Sequence, residues 1–152
     1  MIKNILTIPV ANEMISRINC LEPGTTPVWG KMSADQMLAH CNVPYAYTFY
    51  PERFKRPGTI ARFLLRIFVK NVVTGNRPYK KSSRTAPEFT SNGSRDFEKE
   101  KELLIENIKK CSELGASFFE GKENFSFGKM TAKEWNTLFY KHLDHHLTQF
   151  NV

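Results

Sequence analysis

Thr131-Ala132-Lys133-Glu134-Trp135-Asn136-Thr137-Leu138-Phe139-Tyr140-Lys141-His142-Leu143-Asp144-His145-His146-Leu147-Thr148-Gln149 is the stretch on which the reading of this chain turns. It opens with a capping box: the Thr131 hydroxyl can take a backbone N–H three residues on, and Glu134 can reach back to the N–H of Thr131. Trp135, Leu138, Phe139, His142, His146 and Gln149 then recur at helical spacing, so they share one face. The histidines continue an apolar stripe, and their rings are therefore expected to point inward. His142 and His146 are one turn apart, a spacing at which two imidazoles can hold one metal ion. His145 stands about 100° round the helix from His146 and reads as a supporting group. Gln149, one turn beyond His146, is placed to hydrogen-bond a ligand.

A third ligand must come from elsewhere, and His40 is the only other histidine in the chain. It lies in a second well-marked helix. Ser33-Ala34-Asp35-Gln36 is another capping box, followed by Met37, Leu38, Cys41 and Tyr45 at helical spacing. Pro44 has no N–H for the carbonyl of His40, so a kink is expected there. Three imidazoles without a fourth protein ligand leave coordination positions open, the layout of catalytic rather than structural sites. Imidazole suits Zn, Ni, Fe and Cu. Cys41 is about 100° from His40 and reads as a small buried residue. Tyr47, two turns beyond His40, could line an opening. Trp29 and Trp135 read as packing near the helix starts.

The two capped helices begin alike. Trp29-Gly30-Lys31-Met32-Ser33-Ala34 echoes Phe127-Gly128-Lys129-Met130-Thr131-Ala132: an aromatic, a tight glycine turn, then a cap. No solenoid period is present. The other segments are also helical: about Asn12 to Cys20, with a start nearer Ile5 as the alternative, about Thr59 to Val73, and about Arg95 to Leu114 with Gly115 just past the end. Residues from Thr74 to Ser94 form a long irregular connection, of the kind that is usually functional or mobile. Little in the chain signals a strand.

At 152 residues the chain is expected to be one domain, residues 1–152. No apolar run is long enough to span a bilayer, and the start lacks the apolar region and cleavage site of a secretory signal. Three widely spaced cysteines make no disulfide framework, so the expected setting is cytoplasmic. The net charge of +7 is concentrated: residues 52–84 hold ten Lys or Arg and one acid, and the rest of the chain holds 12 basic and 14 acidic residues. Arg62, Arg66 and Lys70 form a stripe beside Ile60, Phe63, Leu64, Ile67 and Phe68. That segment could meet an anionic partner, nucleic acid or a membrane surface, or could simply be a solvated face.

No glycine-rich phosphate loop, Ser/His/Asp order or CxxC pair is present. Asp144, two residues from both His142 and His146, points away from their face, which argues against protease-like hydrolysis. Three readings stay open on the residues: a metal-dependent enzyme acting on a small molecule, a non-catalytic bundle binding an anionic partner through its basic segment, and a dimerising scaffold whose histidines merely pack.

Met32-Ser33-Ala34-Asp35-Gln36-Met37-Leu38-Ala39-His40 resembles the second-helix signature of the DinB/YfiT-like superfamily, and His142-Leu143-Asp144-His145-His146-Leu147-Thr148-Gln149 resembles its HxxHHxxQ motif. Trp29-Gly30-Lys31-Met32, with Phe127-Gly128-Lys129-Met130-Thr131 and Trp135, resembles more specifically the DUF1569 branch. The resemblance runs in order from the second helix to the C-terminus. It implies an all-α four-helix bundle, up-down-down-up, with the long loop between helices 3 and 4. It implies a divalent metal, Zn or Ni, on His40, His142 and His146, with His145 and Gln149 supporting. It further implies thiol-dependent chemistry with a low-molecular-weight thiol such as glutathione, mycothiol or bacillithiol, an S-transferase acting on a small electrophile first, with a thiol-dependent isomerase also known among such relatives. A small-molecule substrate and a homodimer are the partners expected first; nucleic acid or a membrane is less favoured.

Overall fold

In the computed structural model, residues 1–82 and 93–152 are described. Four long helices form an all-α bundle: α1 (Ile8–Asn19), α2 (Ala34–Phe49), α5 (Phe97–Phe119) and α6 (Ala132–Gln149). Helix α5 packs on α1, α2 and α6, and α6 also reaches α1 and α2. Two short helices, α3 (Thr59–Leu64) and α4 (Lys70–Thr74), are joined by a π-helical turn over Leu65–Val69, and α4 lies on α6. The expected third helix over 59–73 is therefore one helix with a wide turn in its middle. Of the irregular stretch from 74 to 94, residues 83–92 lie outside the described residues.

Local chemistry places the helix ends. Thr131 accepts the Glu134 N–H at 3.2 Å and donates its own N–H to Glu134 Oε2 at 2.9 Å, a complete capping box. At α2 the expected box is present as well: the Ser33 side chain faces the Gln36 backbone N–H, the Ser33 N–H donates to Gln36 Oε1 at 3.2 Å, and the Ser33 hydroxyl also meets the Asp35 carboxylate. Asp96 caps α5 through the Lys99 N–H. Gly115 sits at φ +67°, the left-handed position expected of a residue ending a helix, but the chain resumes a further turn to Phe119. Pro44 lies within α2, which continues through it to Phe49.

The core is aromatic and aliphatic. Trp135, Phe139 and Phe119 are fully buried against one another, and Leu104, Ile108, Met37, Leu38, Met14 and Ile18 fill the bundle beneath them. Complete burial of such side chains contributes about 1.5–3 kcal/mol each. One polar bridge crosses this interior. Asn107 Nδ2 donates to Asn42 Oδ1 at 3.1 Å, and Asn42 Nδ2 donates to the Glu100 carbonyl and carboxylate at 3.0 and 2.9 Å, fixing α2 against α5.

A two-stranded antiparallel hairpin, β1 (Glu123–Asn124) with β2 (Gly128–Lys129), links α5 to α6. The two sequence echoes are also structural echoes. Gly30 and Gly128 both take left-handed φ, +86° and +74°, immediately upstream of the capped helices α2 and α6. Each turn aims a histidine-bearing helix into the bundle.

Candidate metal centre

Helices α2 and α6 bring together residues 102 positions apart in the chain. His40 Nε2 lies 2.8 Å from His142 Nε2. The three ring centroids of His40, His142 and His146 stand 4.6–4.9 Å apart, and one ligand atom from each lies within 4.8 Å of the other two. Among the described residues this is the one convergent group of three His, Cys, Asp or Glu side chains. His40 and His146 are buried, and His142 is half-buried.

The electrostatics favour neutral rings. Burial first, and then the neighbouring imidazoles, hold His142 well below the ordinary histidine range. Burial first and His40 second push His146 down to about 3, with the Gln149 hydrogen bond pulling the other way. Three unprotonated imidazoles are the form that binds a metal. Gln149 Oε1 lies 2.8 Å from His146 Nδ1. A carboxamide oxygen only accepts, so Nδ1 carries the proton and Nε2 keeps its lone pair. The donor set thus fits a divalent ion of imidazole preference. The ligand nitrogens stand 2.8 Å apart in the His40–His142 pair and within 4.8 Å throughout, so these three side chains would hold the ion between them.

Gln149 is itself held. Its Nε2 donates to the Trp29 carbonyl at 2.6 Å, and its backbone carbonyl accepts the Val28 N–H at 2.8 Å. A Cβ on Gly30 would stand 2.6 Å from Gln149 Nε2, so the glycine turn before α2 leaves room for this amide. His145 lies outside the converging trio. It meets Tyr79 edge-on at 5.5 Å and the Trp29 ring at 5.9 Å, with Lys81 Nζ 4.2 Å over that indole.

Other side chains near the histidines take structural roles. Cys41 is buried beside Met37, and burial raises its thiol far above the thiolate range. Cys111 is pushed up to about 12 for the same reason. Asp144 turns away to an ion pair with Arg17 at 2.7 Å, tying α6 to α1. Tyr47 stacks with Phe125 and meets Phe54 edge-on. Trp135 packs in the core as expected, but Trp29 does more than pack, because its carbonyl anchors Gln149.

Two residues escape a reading of the sequence. Tyr79, in the irregular stretch, stands edge-on to His142 at 6.5 Å as well as to His145. Lys141 is buried and, among the described residues, has no carboxylate hydrogen-bond partner. Its Nζ donates to the carbonyls of Val72, Gly75 and Arg77 at 2.6, 2.5 and 3.1 Å and lies 4.5 Å over the Tyr79 ring. A lysine beside His142 thereby fastens the chain that carries Tyr79. Neither residue belongs to a motif or a period; for Lys141 the only signal is a charge next to an inward-facing ring.

The family described as Protein of unknown function (DUF1569) matches residues 1–152. No curated protein and no solved structure matches the chain.

Proposed function

Since the chain belongs to the DUF1569 family, we propose that it is a metal-dependent enzyme whose divalent ion, Zn or Ni, is held by His40, His142 and His146. The observation that carries this reading is the convergence of three inward-facing imidazoles with, among the described residues, no carboxylate or thiolate joining them. A bound ion supplies Lewis acidity at its open positions, enough to lower the pKa of a coordinated thiol. The chain's own groups do the rest. Gln149 orients His146 and sets its tautomer, and Tyr79, Trp29 and Lys81 line the neighbourhood of His145. The reaction we propose joins the sulfur of a low-molecular-weight thiol to the electrophilic carbon of a small molecule, the S–H bond breaking and its proton leaving with the displaced group or staying on the adduct, with the chain a branch of the DinB/YfiT-like superfamily. The motifs around His40 and His142–Gln149 support that placement. Three free cysteines suit a reducing, cytoplasmic setting.

Metal analysis of protein purified without a histidine tag tests the first step, with His40→Ala and His146→Ala as controls. One divalent ion per chain, lost in both variants, is expected. Protein that holds no metal and takes up none, or variants with unchanged content, would overturn it. Thiol consumption with glutathione, mycothiol or bacillithiol and a model electrophile then tests the reaction.

A further inference from the structure

The segment over residues 59–74 turns its sides the opposite way from a solvated amphipathic helix. Arg62 Nη2 pairs with Glu123 at 3.0 Å, and Lys70 Nζ pairs with Glu134 at 2.7 Å, so two cations of the basic stripe are drawn against the protein. Leu65, Val69 and Val73 pack on the core. What remains outward is mostly apolar, with Arg66 and Asn71 among it. Ile60, Phe63, Leu64, Ile67, Phe68 and Val72 are 78, 60, 47, 48, 68 and 57 % exposed. Their spacing of three, four and five residues, the last across the wide π turn, puts them on one continuous side. A contiguous apolar patch beyond a few hundred Å² is uncommon on a soluble surface and marks an interaction site.

We propose that this face lies on an anionic membrane surface. Charge selects the occupant. Residues 52–84 carry a net +9 in a chain whose remainder is slightly acidic. Arg53, Lys55 and Arg66 of the segment are exposed. Phe, Ile and Leu entering the acyl boundary while nearby Lys and Arg meet headgroups is the pattern of a helix lying in the interface plane. Two copies joined through the same face would set two strongly basic segments together, a like-charge cost. A nucleic acid would be met by the basic groups, yet Arg62 and Lys70 are occupied by glutamates and the outward side chains are mostly hydrocarbon. Contact would be peripheral: among the described residues no helix is long and apolar enough to cross a membrane.

The test is flotation of the full chain with vesicles of phosphatidylcholine alone or mixed with phosphatidylglycerol, at low and high salt. Phe63→Ser/Phe68→Ser and, separately, Ile60→Ser/Ile67→Ser are compared after circular dichroism establishes that each is folded. These positions are exposed, so the fold is expected to survive. Wild type should float with the anionic vesicles, weaken with salt, and lose at least roughly tenfold in affinity in both variants. Absence of binding, or binding that both variants retain, overturns the proposal. Analytical ultracentrifugation runs alongside: a wild-type dimer that the variants dissolve, without vesicle binding, would assign the face to a second copy instead. Neither readout depends on the metal, so this proposal and the metal reading can fail separately.

Discussion

Gln149 Oε1 accepts the His146 Nδ1–H at 2.8 Å while the same amide donates to the Trp29 carbonyl, so the tautomer of a candidate metal ligand is set by the turn preceding another helix. Gln149→Leu removes the acceptor without removing a ligand. Metal affinity, measured by competition with a chromogenic chelator, should fall about 10–100-fold. An unchanged affinity would show that the amide does not set the ring.

Gly30 combines a φ of +86° with a gap that its missing Cβ keeps open for Gln149. Gly30→Ala meets both objections, a strained backbone and a 2.6 Å approach to Nε2. Urea denaturation should show a loss of about 1–3 kcal/mol, and the variant should share the weakened metal binding of Gln149→Leu. Normal stability with normal affinity would mean that the amide can move at little cost.

Acid should destabilise the metal-free protein through its buried rings. His146 is depressed from 6.5 to about 3 in the folded chain. A depressed folded pKa means that the unfolded chain takes up the proton first as pH falls. The contribution is therefore fully present above pH 6.5 and is lost progressively toward pH 3, amounting to as much as a few kcal/mol. Denaturation of chelator-treated wild type and His146→Phe between pH 7.5 and about 5 should show a shallower pH slope in the variant. Equal slopes would mean that His146 is not held neutral.

Lys141→Met leaves the carbonyls of Val72, Gly75 and Arg77 without their shared donor and removes the cation over Tyr79. A loss of about 2–4 kcal/mol is expected, since bonds to charged groups contribute about 1.5–3 kcal/mol. Amide exchange should rise first over residues 70–79. Uniform exchange across the chain would place the role of Lys141 elsewhere.

Asp144→Asn should be mild. The pair with Arg17 is partly exposed, and such pairs contribute about 0–1 kcal/mol. Metal content should not change, because the carboxylate faces α1 rather than the imidazoles. Lost metal would make Asp144 part of the site after all.

How far each feature could be read in advance depends on the range of the interaction behind it. The Thr131–Glu134 box, the left-handed Gly115 and the placing of His142 and His146 on one face arise within one or two helical turns, and their residue types and intervals are enough to announce them. His40 was legible by elimination, as the last imidazole available. The reach of Gln149 to His146 is again one turn. The second destination of that amide, the Trp29 carbonyl, is 120 positions away and has no local sign.

The helix over residues 59–74 marks the boundary most clearly. Its sequence holds a basic stripe and an apolar stripe at equally good helical spacing, and periodicity alone cannot say which of two stripes faces the protein. Glu123 and Glu134, on other elements, draw Arg62 and Lys70 inward and leave Phe63 and Phe68 outside. Tyr79 and Lys141 likewise acquire meaning only through contacts across the fold. Local hydrogen bonding and side-chain period determined, from sequence alone, that this is a helical chain with an inward histidine pair. The meeting of His40 with that pair, and the choice of face left to solvent, were decided by tertiary packing, because both depend on groups far apart in the chain that approach only when the helices dock.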